Sequence, residues 1–348
     1  MRWWPLPTGF RPLLLPKAAP LAADAGAVSL SLRMTRPRLR TFSRHCRERY
    51  GQAVGKIPLD LGLPCPNRVR GGCLFCRPAS FTPFSLRTTD PLTEQIHRGK
   101  AHLLKGRFRL YLGYLQQETP TVLATARLLP LLAQVLADPD CRGLILSTRP
   151  DAIAEDLPEA LGRLMLSCGK TCLIELGLQS IHEPSLRLLN RNHSFADFLG
   201  AVAKLRAVDG LEIGVHLILG IPGESEADML ATIQTVCALP IQALKLHHLQ
   251  VIAATPLHRL YQEGRVPVFS REDYLELLLR LLPHIPGHVT LHRLWSTAHP
   301  HLLVAPHWGC LTGELSRQLH WMMAERGIWQ GQEGDRENGS AEEDVEQR

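Results

Sequence analysis

Short apolar runs separated by longer amphipathic ones recur along most of this chain. The short runs are Arg109–Gly113 (RLYLG), Gly143–Ser147 (GLILS), Cys172–Leu178 (CLIELGL), Glu212–Leu219 (EIGVHLIL) and Ala243–Val251 (ALKLHHLQV). Between and after them lie stretches of near-3.6 periodicity, over Val122–Ala137, Ala154–Ser167, Glu183–Leu189, Ala196–Val208, Glu226–Cys237 and Arg271–Leu282. Near-continuous apolar strands alternating with amphipathic helices predict a parallel α/β sheet. Residues Ile57–Leu63 (IPLDLGL) add a strand in front, giving six βα units, and His288–Leu294 (HVTLHRL) predicts a seventh strand. Eight units close a full barrel, so six predict an open, partial (β/α)6 barrel of TIM type. Ligands of such sheets gather at the carboxyl ends of the strands, which makes each loop after a strand a place to look for chemistry.

The loop after the first strand is the most unusual stretch. Residues 65–76 read CPNRVRGGCLFC, with Cys65, Cys73 and Cys76 in a C-x7-C-x2-C pattern among prolines and glycines. Three thiols on one short loop suit an iron–sulfur cluster or a zinc ion. No fourth cysteine or histidine stands at zinc spacing, and three thiolates on a four-iron cluster leave one iron open to an outside ligand. The chain has nine cysteines, the other six scattered, which fits a reducing compartment better than a disulfide framework.

Charge changes the picture at both ends. Residues 34–110 carry sixteen Lys/Arg against four Asp/Glu, whereas residues 331–348 carry seven acids against two arginines. The basic excess points to a polyanionic partner such as RNA, or to a solvated basic face. Residues 1–33, with five prolines and no sustained period, are expected to be disordered or a non-native extension; 34–56 form a basic segment; 331–348 form a disordered acidic tail. No run approaches the length of a membrane span, and the expected location is the cytoplasm.

Several ordered motifs carry a family resemblance. They are CPNR at 65–68, GGCLFC at 71–76, STRPD at 147–151, ELGLQS at 175–180, LNRNH at 189–193, HLILGIPGE at 216–224, LKLHHLQV at 244–251 and LHRLW at 291–295. Together they resemble the radical S-adenosylmethionine (SAM) superfamily, in the YhcC/YtqA-like branch related to the elongator catalytic subunit, over roughly residues 36–310. The spacer between Cys65 and Cys73 is shorter than that branch's usual loop. Gly113-Tyr114-Leu115-Gln116 stands where the wider superfamily carries paired glycines and a glutamate.

The resemblance implies a core over 57–285, a C-terminal extension over 286–330, and two cofactors, a [4Fe–4S] cluster and SAM. It implies that Cys65, Cys73 and Cys76 hold the cluster. SAM contacts are then expected from Glu175, Gln179 and Ser180, from Arg191 at its carboxylate with Arg149 as a second candidate, from Gly220 and Gly223 at its adenine, and from Gln116. Lys245 and His247 share one face of the sixth strand and are the expected catalytic side chains, although a lone histidine there is more often a satisfied core residue. The histidines between His292 and His307, with Cys310, match no metal spacing. Kinship with the elongator subunit implies a tRNA base such as a wobble uridine as substrate, with a flavodoxin- or ferredoxin-type electron donor. A protein or small-metabolite substrate and a non-enzymatic metal-binding module are the competing functions.

Overall fold

The computed structural model describes residues 37–334. The expectations for residues 1–33, for the start of the basic segment and for the acidic tail beyond 334 lie outside the described residues. Seven parallel strands form one curved sheet in the order β1-β2-β3-β4-β5-β6-β8. They are β1 Val54–Leu59, β2 Leu110–Leu115, β3 Cys141–Thr148, β4 Thr171–Gln179, β5 Leu211–Leu219, β6 Ala243–His248 and β8 Thr290–Arg293. Each connection returns over the outer face through helix, chiefly α2 Leu92–Gly99, α3 Thr125–Leu136, α4 Leu157–Cys168, α5 Glu183–Leu188, α6 Phe195–Arg206, α7 Glu226–Cys237 and α9 Arg271–Leu281. The edge strands β1 and β8 do not pair, so the partial barrel stays open.

Local chemistry sets the boundaries. Ser194 with Asp197 and Ser225 with Asp228 make capping boxes that start α6 and α7. β1 begins and ends earlier than the sequence pattern suggested: Gln95 takes both the N–H and the C=O of Asp60, removing that residue from the ladder. The expected strand 243–251 divides, because the Ser296 hydroxyl caps the His248 carbonyl. Val251–Ile252 (β7) then pairs antiparallel with Leu303–Ala305 (β9). Helix α1, Phe42–Tyr50, helix α2, helix α8 Pro256–Gln262 and helix α10 Thr312–Glu325 were not anticipated. In α2 the signal was present as apolar contact at Leu92, Ile96 and Gly99, all buried.

Alternate residues of every strand point to opposite faces. The outer face, with Ile57, Leu59, Leu115, Leu144, Leu146, Ile174, Leu176 and Leu178, packs on the helices and forms the main core. The inner face begins with a smaller apolar layer, Val54, Leu110, Leu112, Ile145, Leu173 and Ala243, which Cys46, Phe42 and Tyr50 of α1 close from below. That plug puts the arginines of α1 at the amino ends of the strands, away from the cysteine loop. Three of the arginines around it are paired, Arg40 and Arg44 with Glu48, and Arg49 with Glu212. The expected basic segment therefore closes the base of the barrel and does not rim the ligand end.

Candidate active site

A cavity of about 270 Å³ opens at the carboxyl ends of the strands, and Cys65, Cys73 and Cys76 all line it. The short spacer between the first two cysteines folds into one compact turn. Residues Pro66–Arg70 form a single 3-10 stretch, and Gly71 and Gly72 follow at φ 89° and 73°, a region costly for any residue with a Cβ. Segment 189–193 clamps that turn. Asn190 Nδ2 donates to the carbonyls of Arg70 and Gly72 at 3.0 and 2.6 Å, and Asn67 Nδ2 donates to the Asn190 carbonyl at 2.8 Å. Asn192 Nδ2 donates to Asn67 Oδ1 at 2.8 Å. The LNRNH and CPNR motifs are thus two halves of one device.

Arg191 belongs to the same device. Its Nη1 donates to Cys73 Sγ at 3.0 Å, its Nη2 to the Gly177 carbonyl at 2.5 Å and its Nε to His193 at 3.1 Å. Each of its three guanidinium nitrogens thus makes one hydrogen bond within the protein, while the side chain lines the cavity. Arg149 differs: Asp151 holds its Nε and one terminal nitrogen, while Nη1 is buried with no hydrogen-bond partner. Thr119, also lining the cavity, has a buried hydroxyl without a partner.

Beneath the cysteines, the strands contribute a buried polar layer. Glu175 Oε2 accepts from Lys245 Nζ at 2.5 Å, from Ser147 Oγ at 2.7 Å and from His216 Nε2 at 2.9 Å, and its Oε1 lies 3.2 Å from His292 Nδ1. Lys245 Nζ also donates to the Tyr114 hydroxyl at 2.6 Å. Lys56 Nζ sits 3.4 Å from His292 Nδ1 and 3.9 Å above the Phe42 ring. Burial alone pushes the Glu175 carboxyl up, but the Lys245 charge and the histidine contacts outweigh it and hold the group well below the usual carboxylate range. Burial pulls Lys245 down to about 8, His216 to about 4 and His292 to about 3, leaving the histidines neutral. His247 lines the cavity, its Nδ1 3.2 Å from Ser296 Oγ, and burial drives its pKa well down.

The other expected site residues divide between places. Gln116, Glu175, Gln179, Arg191, Lys245 and His247 share the cavity with the three cysteines. Ser180 is fully buried outside it and donates to Glu224 at 2.6 Å. Gly220 and Gly223 line a second cavity of about 560 Å³. Sequence reasoning missed Lys56, Tyr114, Ser147, His216, His292 and Arg293 as site residues. The signal for most of them was a polar residue alternating with apolar ones inside a strand.

Three soft sulfur donors on one wall, with Arg191 and Asn67 already donating to Cys73 Sγ, suit an iron–sulfur cluster. Burial pushes the Cys76 thiol up to about 12. Among the described residues no three His, Cys, Asp or Glu side chains are grouped as ligands of one metal ion.

Two family models match the chain, the radical SAM superfamily over residues 65–236 and the radical SAM C-terminal domain over 241–321. YtqA of Bacillus subtilis is 33% identical over 303 residues, covering 85% of this chain and 93% of its own length. The chain belongs to the radical SAM superfamily. YhcC of Escherichia coli is 32% identical over 274 residues, 77% of this chain and 86% of that protein. The solved structure of the archaeal Elp3 from Methanocaldococcus infernus shares the fold, with a TM-score of 0.60 at 19% identity over 80% of this chain and 64% of that one. A tRNA uridine(34) acetyltransferase of the same archaeon is 30% identical over 157 residues, 44% of this chain and 28% of that protein. This radical SAM protein is an enzyme, and the cofactors of its superfamily are a [4Fe–4S] cluster and SAM. Among the described residues no helix is long and apolar enough to cross a membrane.

Proposed function

We propose that this radical SAM enzyme modifies RNA, with a tRNA base such as a wobble uridine as its target. Cys65, Cys73 and Cys76 hold three irons of the cluster in this proposal. The main support for the cofactor part of this proposal is one cavity that gathers three thiols and, at Arg149 Nη1, a buried guanidinium nitrogen with no partner. A buried unpaired donor is costly unless a ligand completes it, and the carboxylate of SAM has the right charge. Bound at this site, the cluster and SAM would supply one-electron radical chemistry directed at a substrate hydrogen.

The chain's own residues position the rest. Arg191 and Asn67 fix the Cys73 sulfur and withdraw charge from it, as neighbouring donors do around metal sites. Gln116 and Gln179 contact the methionyl and ribose portions, and Glu175 orients Lys245 and His216 in the floor. Ser180, Gly220 and Gly223 shape the neighbouring strand ends that flank SAM. Lys245 and His247 face the substrate. A flavodoxin- or ferredoxin-type protein in the cytoplasm provides the electron.

Two features favour RNA. Phe81 lines the cavity and is 37% exposed, and Phe84 nearby in sequence is 92% exposed, with Arg70 and Arg87 also exposed. Exposed rings stack on bases while arginines meet phosphates. The partial likeness to a tRNA uridine(34) acetyltransferase points the same way. The test is nucleoside mass spectrometry on tRNA from a deletion strain. One modified nucleoside should vanish and return with the parent gene but not with Cys73→Ala. An unchanged nucleoside profile, with no tRNA binding even at low salt, turns the function toward a protein or small metabolite.

A further inference from the structure

The charged side chains that line the cavity are Glu118, Arg149, Glu175, Arg191, Lys245 and Arg293. Five are engaged by the protein. Glu118 holds Arg68, Arg149 holds Asp151, Arg191 holds Cys73 and the Gly177 carbonyl, and Glu175 holds Lys245. Arg293 alone among them has no hydrogen-bond or ion-pair partner among the described residues. It follows His292 on β8 and pairs in register with Lys245 of β6, so two cations sit side by side. The nearby carboxylate, Glu175, is already shared by Lys245, His216, His292 and Ser147. The remaining groups around it, His216 and His247, are held neutral by burial, and the Arg293 charge pushes both further down along with Lys56 and Lys245.

An arginine fork in a cavity, felt as an uncompensated charge by four neighbours, is a site for an anion. Arg149 stands after β3, where Asp151 and the carbonyls of Arg191 and Asn192 hold it, whereas Arg293 stands on β8. Resting on the RNA reading above, we propose that Arg293 recognises a phosphate of the RNA strand whose base enters the cavity. Arg149 then serves the cofactor end and Arg293 the substrate end of one site.

Phenylglyoxal labelling of the reconstituted holoenzyme, mapped by peptide mass spectrometry, tests this at the residue. Arg293 should be labelled in the free enzyme and protected by bulk tRNA from a strain lacking this protein. Inorganic phosphate should protect it more weakly and acetate not at all. Arg293→Gln should weaken tRNA binding roughly tenfold or more, the range for one charge-assisted hydrogen bond, and Arg293→Lys less so. The labelling stands on the parent protein even if a variant misfolds. If tRNA binds in a gel-shift assay while Arg293 stays fully reactive, this inference fails and the RNA reading survives. If tRNA does not bind, the RNA reading fails and takes the inference with it. Protection by acetate but not by phosphate overturns the phosphate assignment in favour of a small carboxylate.

Discussion

Ile174 and Glu175 are neighbours on β4 and almost equally inaccessible, at 0% and 1% exposure, yet they solve burial in opposite ways. Ile174 turns outward into hydrocarbon beneath the helices. Glu175 turns inward, where a lone carboxylate is untenable and four donors surround it. The difference runs along the whole sheet. The outer face is held by packing that tolerates exchange of one apolar shape for another. Above its apolar layer, the inner face is held by a charge balance in which each member depends on the others. Packing holds the first, and paired charges hold the second.

The largest effect expected from breaking that contrast is at Glu175. Glu175→Gln leaves Lys245 buried without its counter-charge and should cost about 3–5 kcal/mol in urea denaturation. SAM cleavage, followed as 5′-deoxyadenosine, should fall at least tenfold. Adding Lys245→Met should restore much of the stability and none of the cleavage, because the pair is removed as a unit. A double variant as unstable as the single one means that packing, and not charge, holds the layer.

Ile174→Ala should cost about 2–5 kcal/mol, the range for a buried aliphatic truncation. Its 5′-deoxyadenosine yield per folded molecule should match the parent. A matching loss of cleavage would join the two faces functionally. Arg191→Lys keeps the charge but loses the three-way fork, so iron retention should fall roughly tenfold or more, as for other partners of metal ligands. Iron analysis and redox titration of the anaerobic protein would read it.

A pH dependence probes the same polar layer. Burial, and then the Lys245 charge, pulls Lys56 down to about 7 from an ordinary 10.5. Its folded pKa lies below its unfolded one, so between about pH 7 and 10.5 the unfolded chain holds more protons and stability rises with pH. Lys56→Met should therefore melt above the parent at pH 7, with the gap closing toward pH 10. A constant gap across that range places the lysine in water.

Much of this was written in the chain itself. Apolar runs of period two, helices of period 3.6, the Ser225 cap and the C-x7-C-x2-C spacing are local patterns, and local patterns are legible without a fold. They were enough for the partial barrel, the ligand-bearing rim and the superfamily. What the alternation of a strand leaves open is what each face meets. Lys56, His292 and Arg293 therefore looked like ordinary polar residues until the sheet curled and brought β1 within 3.4 Å of β8. The basic helix α1 looked like a binding face until its Phe42, Cys46 and Tyr50 proved to plug the barrel. Arg191 was expected at the SAM carboxylate, and only the fold shows that it also donates to a cysteine 118 residues away. Hydrogen bonds between distant residues leave no local trace in sequence, so only tertiary structure decided which charged groups of the cavity pair within the protein and which, Arg149 Nη1 and the Arg293 side chain, have no partner among the described residues.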